Sequence, residues 1–279
     1  MELFSKIVVA LDGSPAAERA LPVVGALATT TGAPITLVTV AVHDDHVSAA
    51  ERVLRGATLQ LDQASNCEVL VGLPVAKMLL GYLHPDPGAV VVMATHARTA
   101  VGDLLLGSVA DEMVRRSPVP VVLVGPHAEL PARGARYREL VACLDGRDDA
   151  KRLLPIVTRM QHNYGMHPWL FEVLTEAAVP DLTPGGDVLE TNYVHRMADE
   201  LRRAGVEADW DVGHDDDRAR AIVAFADIRA APIVALATHG RDALERLRAA
   251  SVTVTVARSA SCPVLVIGPA FAEVATTCH

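Results

Sequence analysis

The chain reads Ala94-Thr95-His96-Ala97-Arg98, then Gly107-Ser108-Val109, and then the apolar run Val121-Val122-Leu123-Val124. The same pattern returns 143 residues later, as Ala237-Thr238-His239-Gly240-Arg241, Ala250-Ser251-Val252 and Val264-Leu265-Val266-Ile267. This constant offset has the length of a whole domain, whereas solenoid repeats have a period of about 20 to 50 residues. The sequence therefore predicts a tandem duplication of one domain.

The start of each copy repeats more faintly. Leu11-Asp12-Gly13-Ser14 returns as Leu144-Asp145-Gly146-Arg147, at an offset of 133 residues. The second copy has therefore gained ten residues. We expect most of them in a loop at 176–186.

Composition narrows the class of protein. The 279 residues are 51% hydrophobic, which is enough to form two hydrophobic cores. The net charge is −9, and the sequence has no cluster of basic residues of the kind that binds nucleic acid. The start of the chain has no signal-peptide pattern, and no apolar stretch reaches the ~18 residues that span a bilayer. Four dispersed cysteines without CxxC spacing indicate reduced thiols. We expect a cytoplasmic protein that binds neither nucleic acid nor membrane.

The order of apolar and amphipathic segments predicts the fold class. Apolar runs rich in β-branched residues are typical of strands buried on both faces of a parallel sheet. The predicted strands are residues 7–11, 35–42, 68–71, 89–94 and 119–124, and in the second copy 139–144, 169–175, 207–212, 233–237 and 263–268. Because helical segments alternate with them, we expect an α/β protein with two tandem doubly wound parallel-sheet domains.

Helix signals lie between these strands. Ser14 followed by Pro15 predicts an N-cap and the first turn of a helix that Gly32 closes. The other predicted helices are residues 44–64, 74–82 and one that starts at 107, and in the second copy 148–164, 188–204, 218–229 and 251–259.

The boundary between the domains lies near residue 130. Two prolines and a glycine between Pro126 and Ala135 can continue neither a helix nor a central strand. The predicted division is a first domain at 1–126, a linker at 127–137 and a degenerate second domain at 138–279. We expect the Val-rich last strand of each domain to meet the other near a pseudo-twofold axis, because both would otherwise be exposed edges.

Each copy brings backbone amides to one edge of its sheet. A strand ends in the short turn at Ala94 or Ala237, and a small residue followed by serine, at 107–108 or 250–251, opens a helix. The free N–H groups and the dipole of a helix start favour an anion. Ligands of doubly wound sheets bind outside the carboxyl ends of the strands. The pattern predicts a phosphate-binding edge.

These motifs resemble those of the universal stress proteins, whose signature is G-x2-G-x9-G-[ST]. The first copy aligns as Ala94-x2-Ala97-x9-Gly107-Ser108 and the second as Ala237-x2-Gly240-x9-Ala250-Ser251, both without a gap. The resemblance covers nearly all of the first copy and the carboxyl half of the second. It implies an adenine nucleotide alpha hydrolase-like fold with strand order 3-2-1-4-5, a stress-response function and, in many members, bound ATP.

The resemblance also implies a role for individual residues of the first copy. Asp12 would meet the ribose, and Ala10 and Val40 the adenine. The residues that would surround the phosphates or supply amides and a hydroxyl to them are Met93, Ala94, His96, Ala97, Arg98, Gly107, Ser108 and Val109. The expected cofactor is ATP with Mg²⁺ as a companion ion. The expected partners are the adenine nucleotide, a regulatory protein and a second copy in a homodimer.

Other interpretations of the first copy stay open. Asp12 can simply cap a turn, Ser108 can be an ordinary N-cap, and His96 can be a solvent-facing turn residue. Ala94 and Ala97 stand where the signature has glycine, and their methyl groups occupy space that phosphates would approach. The candidate functions are therefore an adenine-nucleotide-binding regulatory protein, a scaffold that acts through protein contacts, and a slow ATP hydrolase. The chain lacks GxxxxGK[ST] and an identified general base, so we expect no enzyme activity.

The second copy departs further from the signature. It has Ala250 instead of glycine and lacks the serine after Asp145-Gly146, so we expect it to be a scaffold or regulatory half. The acidic run Asp215-Asp216-Asp217 could hold a hard cation. The N-terminal face of a helix is the simpler explanation of three adjacent carboxylates.

Overall fold

The computed structural model describes residues 4–84, 86–95, 106–175, 192–238 and 252–271. Within this part of the chain ten strands form one sheet. They are β1 (Lys6–Ala10), β2 (Ile35–Ala41), β3 (Ser65–Val71), β4 (Ala89–Ala94), β5 (Val121–Val124), β6 (Glu139–Leu144), β7 (His167–Leu174), β8 (Asp209–His214), β9 (Pro232–Ala237) and β10 (Val264–Ile267). Each overlaps a predicted strand, because these apolar runs can be buried on both faces of a sheet.

The sheet has the order β3-β2-β1-β4-β5-β10-β9-β6-β7-β8. The first half has the order 3-2-1-4-5, and the second half repeats it in reverse across the molecule. Within each half neighbouring strands are parallel, as β1 is to β2 and β4, and β6 is to β7 and β9. The predicted α/β class with doubly wound sheets is confirmed.

The two halves join through their last strands. β5 and β10 pair antiparallel, with Leu123 opposite Val264 and Val121 opposite Val266. All residues of both strands are almost fully buried. The prediction that these strands meet is confirmed, and their pairing removes the two apolar edges that separate domains would expose.

Helices follow the predicted positions with some changes at their ends. They are α1 (Pro15–Glu18), α2 (Ala20–Thr31), α3 (Val47–Thr58), α4 (Val75–Leu83), α5 (Ser108–Arg116), α6 (Leu154–Tyr164), α7 (Asn192–Arg203), α8 (Arg218–Asp227) and α9 (Val252–Ser259). Short 3-10 turns at Asp44–His46 and Asp148–Leu153 precede α3 and α6.

Two predicted helices differ from the structure, one in continuity and one in length. The helix that starts after Ser14 is interrupted at Arg19, whose guanidinium donates to the carbonyl oxygens of Pro126 and Ala128 at 3.2 and 2.8 Å. The helix predicted to reach residue 64 ends at Thr58. Gln63 instead donates its side-chain amide to the carbonyl of Gly25 on α2, which turns the chain into β3. Both changes depend on contacts distant in sequence.

Helices cover both faces of the sheet. α2, α3, α6 and α7 bury their apolar residues on one face, and α4, α5, α8 and α9 on the other. Val, Leu and Ala dominate both cores, in keeping with a chain of which aromatic residues make up only 4%. Cys67, Cys143 and Cys262 carry free thiols, as predicted, and Cys278 lies outside the described residues.

A pair of glycines lets the halves approach. Gly125 follows β5, and a Cβ there would lie 2.1 Å from the carbonyl oxygen of Ala257 on α9. Gly268 follows β10, and a Cβ there would lie 2.3 Å from the carbonyl oxygen of Val114 on α5. The two glycines are 143 residues apart and make the same contact across the pseudo-twofold axis, so each half needs a glycine where the other half's helix passes.

Candidate functional site

The carboxyl ends of β1, β2 and β4 meet at one edge of the first half. Because β1 pairs with β2 on one side and β4 on the other, Ala10, Val40 and Ala94 lie at or next to neighbouring strand ends. Met93 and Ala94 are buried, whereas Ala10 and Val40 are half-buried. Met93, Ala10 and Val40 belong to one apolar cluster. This edge therefore offers an apolar surface beside the turns described next.

The turn after β1 holds Asp12. Its Oδ1 accepts a hydrogen bond from the Ser14 N–H at 2.9 Å, and Gly13 between them has a φ of +78°. Ser14 Oγ accepts from the Ala17 N–H at 3.1 Å and caps α1, as predicted. Asp12 therefore makes the contact expected of a turn residue, while its side chain is exposed at the candidate edge.

The start of α5 presents the second group of amides. Gly107 is the N-cap, with φ +98° and ψ 145° and without a side-chain cap, so Ser108 is the first helical residue. The interpretation of Ser108 as an ordinary N-cap was wrong, and its side chain is exposed. Among the described residues, none lies within 4 Å of a Cβ built on Gly107, and the first amides of the helix have no intrahelical partner.

The turn between β4 and α5 is described at its two ends only. Thr95 donates its N–H to the Val124 carbonyl at 2.9 Å, which ties the end of β4 to β5. Ala94 lies in the strand and has no positive φ, so alanine causes no backbone strain there. The remaining predicted residues of this turn, His96, Ala97 and Arg98, lie outside the described residues.

The second half repeats this framework. Asp145 Oδ1 accepts from the Arg147 N–H at 3.2 Å across Gly146, which has a φ of +76°. Thr238 donates its N–H to the Ile267 carbonyl at 2.9 Å, as Thr95 does to Val124. The chain segments at 176–191 and 239–251, with the predicted loop and the second signature turn, lie outside the described residues.

One buried carboxylate distinguishes the second half. Leu144 pairs with Glu172 on β7, which is the position that Thr39 occupies on β2. Glu172 is 6% exposed, and burial, reinforced by Asp145 and opposed by Arg218, raises the pKa of its carboxyl to about 7. Sequence reasoning missed this group. The available signal was a single acid inside the apolar run 168–174.

The acidic run at Asp215–Asp217 belongs to the start of α8. Asp217 Oδ1 accepts from the Arg220 N–H at 3.1 Å and caps the helix. Asp215 receives two hydrogen bonds from the Arg220 guanidinium, at 2.9 and 2.6 Å, which hold the pKa of Asp215 below its ordinary value. The helix-face interpretation accounts for this run.

Nowhere in the described ranges do three or more His, Cys, Asp or Glu side chains form a group that could hold a metal ion. Among the described helices, none is long and apolar enough to cross a membrane.

The chain is similar to known proteins both in sequence and in fold. The sequence model of the Universal stress protein family matches residues 3–74, 88–125 and 136–268. A universal stress protein from Archaeoglobus fulgidus has 18% identity and a TM-score of 0.69, over 94% of this chain and 96% of that chain. A functionally unknown protein from Pseudomonas aeruginosa has 12% identity and a TM-score of 0.66, over 98% of each chain.

A third structure aligns with part of the chain. It is a universal stress protein in complex with cAMP, with 22% identity and a TM-score of 0.38, over 44% of this chain and 98% of that chain. No curated protein matches the chain.

Proposed function

Because the chain belongs to the universal stress protein family, we propose that it is a stress-response regulatory protein that binds ATP at the carboxyl edge of its first half. The observation that supports this proposal is the start of α5 at Gly107, which has no side-chain cap and no described residue within 4 Å of its Cβ position. A polyphosphate needs convergent N–H donors and close backbone approach, which an uncapped helix start beginning with glycine can supply.

Each candidate residue has a role in this proposal. Ala10 and Val40 provide apolar contact for the adenine, and Asp12 accepts hydrogen bonds from the ribose hydroxyls. The backbone around Met93 and Ala94 and the amides of Gly107, Ser108 and Val109 hold the phosphates, together with His96, Ala97 and Arg98. ATP would supply the anionic phosphates and the adenine base, and Mg²⁺ would accompany the phosphates.

We propose binding without catalysis. The candidate residues at the described part of the edge are small and apolar apart from Asp12 and Ser108, and Asp12 is engaged in its turn. Nucleotide binding would then act through a regulatory protein partner or a homodimer in the cytoplasm. Slow hydrolysis of ATP at the same site is the less favoured proposal.

A scaffold without nucleotide is the second candidate. The Ala94 methyl group lies at the end of β4, where the signature has glycine. The continuous ten-stranded sheet also gives a rigid platform for protein contacts. Cyclic AMP in place of ATP is a variant of the first proposal, because it needs fewer phosphate contacts.

Ligand analysis separates these candidates. The chain is purified without added nucleotide, and any ligand released on denaturation is identified by absorbance at 260 nm and mass spectrometry. We expect ATP or another adenine nucleotide. A chain that purifies empty and shows no affinity for ATP, AMP or cyclic AMP in calorimetry would favour the scaffold.

Asp12→Ala should weaken ATP binding by tenfold or more, because it removes the proposed ribose acceptor, worth about 1.5 to 3 kcal/mol for a charged hydrogen bond. Asp145→Ala is the matched control. It deletes the equivalent turn hydrogen bond in the second half and should leave the affinity nearly unchanged. Titration calorimetry measures both, and equal losses would contradict a site in the first half.

A further inference from the structure

Glu172 is a buried acid whose hydrogen bonding is incomplete. Its Oε2 is inaccessible to solvent and has no hydrogen-bond partner among the described residues. Buried polar atoms are almost always paired, so an unpaired carboxylate oxygen calls for a physical explanation. In the first half the same strand position holds Thr39, a neutral side chain.

The carboxyl lies beneath the turn that follows β6. Its Oε1 would be 3.2 Å from a Cβ on Gly146, so the acid packs directly against the middle of that turn. Asp145 on one side of Gly146 carries a like charge, and Arg147 on the other side pairs with Asp145 at 3.9 Å. The Tyr193 hydroxyl of α7 donates to the Arg147 carbonyl at 3.2 Å. The Asp145–Arg147 turn thus contacts both Glu172 and α7.

Two arginines lie on elements that pack against β6 and β7. Arg218, the exposed first residue of α8, is the cation that favours ionised Glu172. Arg152 belongs to the 3-10 turn after Asp145, and its guanidinium donates to the Thr238 carbonyl at 2.8 Å. Burial is the main factor that opposes ionisation, and the like charge of Asp145 and the lack of a donor at Oε2 among the described residues add to it.

We propose that the second half senses pH through Glu172, which packs as a neutral acid beneath the Asp145–Arg147 turn and loosens that turn when it ionises. An ionised carboxylate needs hydrogen-bond donors, and Oε2 has none among the described residues in the packed arrangement, so the ionised group must reach water. Water can reach it when the turn above it lifts. The proton is therefore the ligand of the second half, independently of any nucleotide in the first.

The test follows the turn by NMR in the full chain between pH 5 and pH 9. We expect the Gly146 and Arg147 amide signals to move with a midpoint near neutral pH, and hydrogen exchange at these amides, corrected for its intrinsic pH dependence, to rise above it. Glu172→Gln should abolish the transition. This control is needed because histidines titrate in the same range.

Variants of the two neighbouring charges make the test specific to this site. Asp145→Asn keeps the turn acceptor but removes the like charge, so the midpoint should fall by about half a pH unit or more. Arg218→Gln removes the favourable cation, so the midpoint should rise. These two variants decide the question if Glu172→Gln fails to fold. The proposal would be overturned if the transition persists in Glu172→Gln or is missing in the unmodified chain. It would also be overturned if neither Asp145→Asn nor Arg218→Gln changes the midpoint.

Discussion

At the scale of single residues, two carboxyl groups of the second half have pKa values shifted in opposite directions. Glu172 has no hydrogen-bond partner for Oε2 among the described residues, whereas the half-buried Asp215 has the Arg220 guanidinium within 2.6 Å. The pKa of Asp215 is therefore lowered by its donor, and the pKa of Glu172 is raised by burial. The direction of the pKa shift of an acid therefore depends on its burial and on its hydrogen-bond donors, and not on the identity of the residue.

Glu172 should make the stability of the chain depend on pH. Because its folded-state pKa is raised from 4.5 to about 7, the folded state binds the proton more tightly than the unfolded state. Its contribution to stability is full below pH 4.5 and is lost as the pH rises to 7. Glu172→Gln removes this loss. In urea unfolding, the free energy of unfolding of Glu172→Gln relative to that of the unmodified chain should therefore rise by on the order of 1 to 3 kcal/mol between pH 5 and pH 8.

The exposed Glu207 provides the control for that measurement. Glu207→Gln lies in the same half and should follow the unmodified chain at every pH. If Glu172→Gln shows the same pH dependence as the unmodified chain, then Glu172 is ionised in the folded state throughout this range.

At the scale of elements, the proposed ATP site depends on the end of β4. Ala94 has ordinary strand geometry, so its cost to binding is the bulk of a methyl group and not backbone strain. Replacing Ala94 and Ala97 together with glycine should tighten ATP binding in calorimetry, since it opens room before the amides. The fold should survive, with a loss of about 0.5 to 1 kcal/mol per site.

Ala89→Gly is the control for this pair, because Ala89 begins β4 at the opposite end from the candidate edge. It should lower stability without changing ATP affinity. If the double glycine variant binds no better and the unmodified chain has no affinity for adenine nucleotides, the scaffold becomes the better account of the protein.

At the scale of the whole molecule, the approach of the two halves rests on two glycines. Gly125→Ala should cost about 3 kcal/mol or more, because the new Cβ would lie 2.1 Å from the backbone oxygen of Ala257, which cannot rotate away. Gly268→Ala should have a similar effect by symmetry. Denaturant unfolding should show lower stability and a separation of the two halves into distinct transitions.

Gly81→Ala tests whether these costs come from the contact. Gly81 lies inside α4, with nothing within 4 Å of its Cβ position, so alanine should stabilise the chain by about 0.5 to 1 kcal/mol. Equal destabilisation by Gly125→Ala and Gly81→Ala would mean that the interface glycines are not special.

The sequence alone determined the duplication, the α/β class and the strands, and it predicted the candidate edge. These features depend on local signals, such as the β-branched runs at 89–94 and 121–124, the Ser14-Pro15 cap and the Gly32 stop. Such signals act over a few residues, so they can be recognised without the rest of the molecule. Helix ends at Arg19 and Thr58 were missed because distant partners set them.

Only the tertiary structure decided which residues meet across the fold. The antiparallel register of β5 and β10, the close passage of Gly125 and Gly268, and the burial of Glu172 beneath the Gly146 turn all join segments distant in sequence. Their physical cause is packing between elements, in which the neighbours of a residue are fixed by topology. The single acid in the apolar run 168–174 indicates that Glu172 is buried, but no local pattern reveals which distant residues a glycine or a glutamate contacts.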